Sequence, residues 1–260
     1  MRFSTQVSID LARDPELMAQ CVEAGLTMIF IGIETPNQDS LAETMKRQNL
    51  RVDLAAEIRR VVEAGMMVMA GMIVGFDHDG LDIFDRQAAF IASLPVPTIH
   101  MGPLIAPSAT PLFARLKKEG RLLNLDSPDG AGMFTSNIQP KLMTVAQRNA
   151  GIRWLMNRIY TPAAYANRVQ AFVDASKTRR AARRTSILTG IQGQMAQRLA
   201  RGGAAERALI ERLEGLAMLR PDLHGPLSYM LVFYCQVRFM MESSGQWDPT
   251  LGRRELALAS

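Results

Sequence analysis

Early in the chain, the residues Ile29–Pro36 read Ile-Phe-Ile-Gly-Ile-Glu-Thr-Pro. An apolar run of this kind, ended by a carboxylate, a hydroxyl and a helix-breaking proline, is typical of a strand that is buried on both faces of a parallel sheet. Glu34 would then lie at the carboxyl end of the strand, where parallel sheets place their binding sites. Because a buried carboxylate needs a partner, we expect Glu34 either to bind a ligand or to pair with a nearby Lys or Arg.

The segments around this strand alternate between apolar runs and amphipathic stretches. The tripeptide Glu-Ala-Gly at 23–25 recurs at 63–65, and an apolar run follows it directly each time. Such an alternation predicts βα units, with a parallel sheet and helices packed outside it. The predicted strands are 3–9, 27–34, 66–76 and about 98–105, and the predicted helices are one that begins at Asp14-Pro15 and others at 39–48, 52–64 and 81–94.

The rest of the chain has a different character. Residues 120–132 are rich in turn-forming residues, and nearly everything after Lys141 has the pattern of helices broken by proline or glycine. We therefore predict an α/β part at 1–108, a connector at 109–140 and an all-helical C-terminal region at 141–260. The predicted helices of that region are 143–160, 162–176, 185–200, 204–217 and 226–243.

A second unusual stretch, Gly71-Met72-Ile73-Val74-Gly75-Phe76-Asp77, lies in the third predicted strand. Glycine weakens a strand, so two glycines four residues apart indicate that something approaches the backbone closely. A flat ring lying across the strand would be one such object. Tight packing of a helix on the strand is the alternative.

The cysteines exclude several classes of site. Only two occur, Cys21 and Cys235, and neither has another Cys or a His nearby. This excludes a zinc finger, a Cys-x-x-Cys redox pair and a self-contained ligand set for an iron–sulfur cluster, so we expect two buried thiols on helices. Metal ligation by His78-Asp79 would need further ligands, so we interpret this pair as a polar loop. The motifs of the commonest hydrolases, dinucleotide-binding proteins and NTPases are also missing.

Charge and hydropathy limit the classes of partner that the chain can bind. Within the net charge of +5, a local basic run stands out: Lys177, Arg179, Arg180, Arg183 and Arg184. Such a run can bind phosphates or form a solvated helix face, but no aromatic residue interleaves with the arginines, so we do not expect nucleic-acid binding. No apolar run approaches the roughly 20 residues that cross a bilayer, and no signal-peptide pattern occurs. We therefore expect a cytoplasmic protein without a membrane span.

Several motifs in order carry a family resemblance. Ile-Gly-Ile-Glu-Thr-Pro, a helix, Glu-Ala-Gly, Gly-Met-Ile-Val-Gly-Phe-Asp, a second helix and the stretch 102–122 together resemble the radical S-adenosylmethionine superfamily. More narrowly, the chain resembles the cobalamin-binding-domain radical S-adenosylmethionine proteins with a helical C-terminal extension, a group that includes hopanoid methylases. The resemblance covers residues 1 to about 170, including the stretches 137–141 and 160–165. Each motif alone is weak, but the set in this order is specific.

The resemblance implies a fold and a site. This chain would supply strands three to six of an open, partial (β/α) barrel that holds S-adenosylmethionine and a [4Fe-4S] cluster, which together generate a 5′-deoxyadenosyl radical. Glu34 would hydrogen-bond the ribose hydroxyls, and Asp77 would stand near a second acidic position. The remaining implied cofactor contacts are Gly71, Ile73 and Gly75 against adenosine, Gln6 and Ser8 at the methionine end, and the backbone of Gly102, Leu104 and Ile105 beside adenine.

One departure from the family is large. The three thiolates of Cys-x-x-x-Cys-x-x-Cys hold the family's cluster, and this sequence contains no such triplet. Strands one and two and the cobalamin domain have no counterpart either, so we do not expect the chain alone to perform the radical reaction. Four βα units cannot close a barrel, so the strand at 3–9 would form an exposed edge that pairs with another chain or aggregates.

Three functional hypotheses remain open. We favour the C-terminal part of a cobalamin-dependent radical S-adenosylmethionine enzyme, in which a separate chain supplies the cluster and cobalamin domains and a small molecule is the substrate. Methyl transfer follows only from the cobalamin association. The alternative is a non-catalytic binding or scaffold remnant of the fold, and a helical phosphate- or nucleic-acid-binding module ranks last. The sequence does not identify a substrate, because fold analogy does not decide it.

Overall fold

The computed structural model describes residues 3–43, 49–50, 52–123, 134–177 and 182–252. Its centre is a sheet of four parallel strands in the order β1-β2-β3-β4. The strands are β1 Phe3–Val7, β2 Leu26–Glu34, β3 Met67–Val74 and β4 Thr98–Pro103. The helices are α1 Pro15–Ala24, α2 Gln38–Glu43, α3 Leu54–Glu63, α4 Ile83–Ser93, α5 Pro111–Lys118, α6 Val145–Ile159, α7 Pro162–Ala175, α8 Gly190–Ala200, α9 Ala204–Leu219 and α10 His224–Ser243.

This architecture confirms the α/β class, the parallel sheet and the abundance of helices in the second half. The sheet stays open in the described residues, with β1 and β4 at its two edges. The assignment of these strands to positions three to six of a barrel stays a prediction, as do the boundaries at 108 and 140. Among the described residues, no helix combines the length and the apolar character needed to cross a membrane.

The first βα unit shows how local chemistry sets an element's ends. Asp14 caps α1, because its Oδ1 accepts a hydrogen bond from the Leu17 amide at 2.9 Å. Pro15 occupies the first turn, where no backbone donor is needed. Gly25 ends the helix in the left-handed conformation, with φ 96°, and β2 begins at the next residue.

The first strand is shorter than the predicted 3–9, and that prediction was wrong at its carboxyl end. β1 ends at Val7, and Ile9–Arg13 forms a short 3₁₀ helix. Ser8 caps this helix: its Oγ accepts from the Asp10 amide at 3.4 Å and donates to the Asp10 carboxylate at 3.0 Å. The alternating pattern continued to Ile9, but a serine side chain that bonds the local backbone competes with strand pairing.

The two faces of the sheet have different surroundings. On one side, every second side chain of β2 and β3 is buried beneath an outer layer that includes α1 and α3. We call the opposite side the inner face. Its residues, which the register places side by side, include Phe30, Gly32, Met69, Gly71, Ile73, His100 and Gly102.

The helical region packs against the sheet rather than standing apart from it. Helix α6 packs on α4 and β4, and α10 packs on β4. At the end of α6, the Tyr160 hydroxyl donates to the Ile99 carbonyl at 2.6 Å and accepts from the Ile99 amide at 3.1 Å. Above the inner face, the ring of Phe233 on α10 lies 5.2 Å from the ring of His100. The C-terminal helices therefore close part of the inner face.

Candidate functional site

The carboxyl ends of β2, β3 and β4 bring most of the predicted site residues to one edge of the sheet. Glu34 ends β2, Gly75 and Asp77 follow β3, and Leu104 and Ile105 follow β4. The Leu104 amide donates to the Val74 carbonyl at 2.8 Å, so the pairing of β3 with β4 continues past the strand ends. This edge is where parallel sheets place ligands.

Glu34 lies in a strained backbone conformation. Its φ is 70°, and the Thr35 amide donates to the Ile33 carbonyl at 3.0 Å, so Glu34 is the central residue of a γ-turn of the rare positive-φ kind. The Asn49 side-chain amide braces this turn by donating to the carbonyls of Gly32 and Ile33 at 3.1 and 3.2 Å. The Glu34 side chain is 9% exposed. Residues in such conformations concentrate at functional sites, where the surrounding structure holds them in place.

Asp79, which the sequence analysis placed in a polar loop, joins the ends of β2 and β3. It is 1% exposed and accepts four hydrogen bonds. Its Oδ2 accepts from the backbone amides of Gly75 and Phe76 at 2.9 and 3.1 Å. Its Oδ1 accepts from the Ser40 hydroxyl at 2.8 Å and from the side-chain amide of Asn37 at 3.3 Å. Burial raises the pKa of the Asp79 carboxyl, and the four bonds oppose that rise.

Asp77 lies between two guanidinium groups. Its two oxygens accept from Arg115 at 2.5 Å and from Arg121 at 2.6 Å, and Arg115 also binds Glu43 at 2.7 Å. Burial works to raise the pKa of Asp77, but the bonds from Arg121 and Arg115 outweigh it and hold the pKa below its usual value. The predicted contact of this carboxylate with a cofactor stays a prediction, and both of its oxygens already have protein partners.

The three predicted glycines have three different surroundings. A Cβ on Gly71 would lie 2.7 Å from the ring of Phe30, so the flat ring across this glycine belongs to the protein itself. Gly75 has φ 105°, which L residues rarely adopt. A Cβ on Gly102 would meet no atom of the described residues within 4 Å, so among these residues the inner face is open in front of Gly102.

The remaining predicted contacts lie around this opening or away from it. Ile73, the register partner of Gly102, is half-buried on the inner face, and Ile105 is 49% exposed. The Leu104 carbonyl accepts from the Ser136 hydroxyl at 2.6 Å. Gln6 and Ser8 are exposed, at and just beyond the end of the edge strand β1. The structure therefore brings the predicted residues of β2, β3 and β4 together and leaves those near β1 at the sheet's edge.

Aromatic residues lie over the inner face, and their role was not predicted from the sequence. The His100 ring lies between those of Phe30 and Phe233, with centroids 5.6 and 5.2 Å away. Burial lowers the pKa of His100, which favours its neutral form. The Tyr229 hydroxyl contacts the sulfur of Met69 at 3.3 Å. The alternation of β4 would have placed His100 on the same face as Gly102, two residues away, but its partners on α10 lie far along the chain.

The described residues offer no metal centre: no group of three or more His, Cys, Asp or Glu side chains comes together among them. Cys21 is half-buried on α1, and Cys235 is buried on α10, where burial raises the pKa of its thiol to about 11. A thiol held protonated is a poor metal ligand. The side chains present therefore do not fit an iron–sulfur cluster.

The basic run falls partly outside the described residues, which omit 178–181. Lys177 pairs with Glu63 at 2.8 Å. Farther along the chain, the Arg198 guanidinium lies 4.5 Å from the ring centroid of Phe239. Both contacts are made within the chain, and phosphate binding by the basic run stays a prediction.

Three matches relate the chain to known proteins. A family model described as a domain of unknown function, DUF4070, matches residues 110–207. An uncharacterized methyltransferase of Synechocystis is 43% identical over 123 residues, which make up 47% of this chain and 23% of that protein. The hopanoid C-2 methylase of Rhodopseudomonas palustris is 31% identical over 127 residues, or 49% of this chain and 24% of that protein.

These matches support a relationship to methyltransferases and agree with the resemblance to hopanoid methylases. The family model covers the region from α5 into α9, and each relative matches about half of the chain. Because the matched segments form about a quarter of each relative, the activities of the whole relatives bear on this chain only as a proposal.

Proposed function

We propose that this chain is the part of an S-adenosylmethionine-dependent methylase that holds the nucleoside of the cofactor at the carboxyl ends of β2, β3 and β4. The observation that carries the proposal is the strained γ-turn at Glu34, which fixes a buried carboxylate at the end of a central strand. A carboxylate accepts hydrogen bonds and donates none, which suits the two donors of a ribose diol.

The opening in front of Gly102 supports the same placement. A planar base can approach the backbone there because no side chain of the described residues occupies the space. Ile73 and Ile105 offer apolar surface beside it, which suits the faces of an adenine ring. In this arrangement the chain binds and orients the nucleoside. Gln6 and Ser8 would contact the methionine end of the cofactor only if that end reaches the β1 edge of the sheet.

The cluster and the cobalamin belong to the proposal only as groups held elsewhere. Two cysteines in 260 residues cannot supply three thiolates. We therefore assign no chemical step to this chain. A separate part of the enzyme would supply the metal centre. Specificity for the small-molecule substrate would be determined by parts of the enzyme other than the strands described above.

A titration of the 260-residue chain with S-adenosylmethionine and its stable analogue S-adenosylhomocysteine, followed by calorimetry, tests the proposal. We expect saturable binding that Glu34→Gln weakens by about 10- to 100-fold, since one hydrogen bond to a charged group is worth about 1.5–3 kcal/mol. Glu57→Gln is the matched control, because Glu57 lies on α3 and binds Arg60. Equal affinity in the two variants would contradict the role of Glu34.

The scaffold hypothesis has one observation in its favour. Residues 3–6 of the edge strand β1 are exposed, including Phe3 at 46%, and an open edge can pair with another strand. This hypothesis predicts a chain that is stable alone and binds S-adenosylmethionine weakly or not at all. The same titration therefore decides between the two functions.

A further inference from the structure

Four arginines are almost completely buried among the described residues: Arg148, Arg168, Arg220 and Arg238. Two of them have carboxylate partners at 2.7 Å, since Arg220 binds Asp222 and Arg238 binds Glu206. A buried guanidinium normally requires such compensation, because removing it from water costs several kcal/mol.

Hydrogen bonds to neutral acceptors offset the cost of burying the Arg148 guanidinium. Its Nη1 donates to the Ile138 carbonyl at 2.8 Å, and its Nε and Nη2 donate to the Asn149 side chain at 3.2 and 3.1 Å. All three nitrogens therefore have partners.

Arg168, on α7, is the exception. It is 3% exposed, and its one hydrogen bond runs from Nη1 to the Ala164 carbonyl at 3.4 Å. Its Nε and Nη2 have no partner, and no carboxylate pairs with it in the described part of the chain. The rings of Tyr160 and Tyr165 face the cation at 5.6 Å, which supplies weak compensation without a counter-charge.

Arg168 lines a cleft of about 570 Å³ between α4, α6, α7 and the segment after α10. The α4 side of the cleft is formed mainly by small residues, Ala88, Ala89 and Ala92, which leave room for a ligand. The other apolar lining residues are Trp154, Ile159, Ala164, Pro249 and Leu251. None of the residues predicted to hold the nucleoside lines this cleft, so it is a separate site.

The charges around the cleft favour an anion. Its described lining contains two cations, Arg158 and Arg168, and one carboxylate, Asp85. Asn157 and Asn167 add uncharged polar groups. The two nitrogens that lack a partner are buried beneath the lining of the cleft. The long bond to Ala164 holds the Arg168 guanidinium weakly, so binding of a ligand would require this group to turn toward the cleft.

We propose that this cleft binds an oxyanion, a carboxylate or a phosphate ester, that carries an apolar body. The guanidinium of Arg168 would bind the oxyanion through the two nitrogens that lack partners, in the two-point geometry that arginine forms with these groups. The apolar body would lie along the alanine face of α4 and against Trp154. The proposal does not depend on the function of the strand ends.

Trp154 provides a local reporter for the test. The fluorescence of the full chain is followed while hexanoate, acetate or inorganic phosphate is added, and Trp154→Phe identifies the part of the signal that comes from the cleft. We expect a saturable change with at least one probe. Tighter binding of hexanoate than of acetate would identify a carboxylate ligand with an apolar body, and preference for phosphate would identify a phosphate ester.

Arg168→Met should weaken this binding by about tenfold or more, since a charge-assisted hydrogen bond is lost. Arg60→Met is the matched control, because Arg60 is exposed and binds Glu57. If Arg168→Met does not fold, Arg168→Lys keeps the charge but not the two-point geometry and should also weaken binding. The proposal is overturned if no probe gives a saturable change, or if the Arg168 variant that folds binds as tightly as the Arg60 variant.

Discussion

The carboxyl ends of β3 and β4 are neighbours in the sheet, but their surroundings differ: the chain's own side chains occupy the space at the end of β3, and the described residues leave the space at the end of β4 open. After β3, Asp77 lies between two arginines and Asp79 accepts four hydrogen bonds from its own surroundings. At the end of β4, a Cβ on Gly102 would contact no atom in the described part of the chain, and Ile105 is half exposed. Polar residues near a strand end are therefore not by themselves a sign of a ligand.

This difference changes how the glycines are interpreted. The ring of Phe30 occupies the space over Gly71, and the backbone conformation of Gly75 requires glycine. Neither of these two glycines needs a ligand to explain it. Gly102 has no such internal contact among the described residues, so the open part of the candidate site lies at the end of β4, separated from the Glu34 turn of β2 by β3.

The largest effect is expected where the strand end is closed. Asp79→Asn should lower the free energy of unfolding by about 2–4 kcal/mol. The NH2 group of the new asparagine would replace one carboxylate oxygen and would face buried N–H or O–H groups that need an acceptor. Urea denaturation measures the loss. Asp53→Asn is the control, since Asp53 caps α3 by accepting from the Ala56 amide at 3.0 Å and asparagine caps a helix equally well. Similar small losses in both variants would show that Asp79 is not central to the closed end.

The limits of the sequence follow from how far apart these partners lie. The cap of α1 by Asp14 and its end at Gly25 were predictable, because both involve neighbouring residues. Glu34 was predictable as a buried carboxylate at a strand end, but its positive φ was not. The role of Asp79 was missed because its partner Ser40 lies on α2 and its partner Asn37 directly precedes that helix, about 40 residues earlier in the chain, and no local pattern joins the two segments.

Asp77 illustrates a different limit of the sequence. A carboxylate just after a strand was predicted to contact the cofactor, and its sequence neighbours gave no indication of a partner. The structure supplies Arg115 from α5 and Arg121 from the segment that follows. Long-range ion pairs of this kind depend on where the chain returns to the sheet, which periodicity does not reveal.

A smaller, pH-dependent effect is expected at Asp77. Because its pKa is lowered in the folded state, the unfolded chain binds more protons at low pH. The contribution of Asp77 should therefore be present above its ordinary pKa of 3.8 and be lost as the pH falls from there toward the lower folded value. Asp77→Asn should lose about 1–2 kcal/mol at neutral pH, because Arg115 is partly exposed and its bond is screened.

Urea denaturation of wild type and Asp77→Asn across this acidic range isolates the effect. The difference in unfolding free energy between the two proteins should shrink as the pH falls below 3.8. A difference that stays constant with pH would show that the arginines do not hold Asp77 ionised, and the end of β3 would then be less closed than its hydrogen bonds indicate.

The smallest effect on stability is expected at the open end, and it is the most informative. Gly102→Ala should change the free energy of unfolding by no more than about 0.5–1 kcal/mol, in the stabilising direction, since alanine is better than glycine in a strand. Gly71→Ala should instead cost about 1–3 kcal/mol, because its new methyl group would force the Phe30 ring to move. Urea denaturation compares the two variants directly.

Binding of S-adenosylmethionine should respond to Gly102 even though stability barely does. A methyl group there would stand in the space that the adenine ring needs, so Gly102→Ala should weaken binding and Gly102→Val should weaken it further. Because valine is a residue that strands favour, Gly102→Val should stay folded, and weaker binding by this variant would not result from unfolding. If Gly102→Val binds the cofactor as tightly as wild type, the space at the end of β4 is not where the base lies, and the contrast between the closed and open strand ends would have no bearing on the ligand.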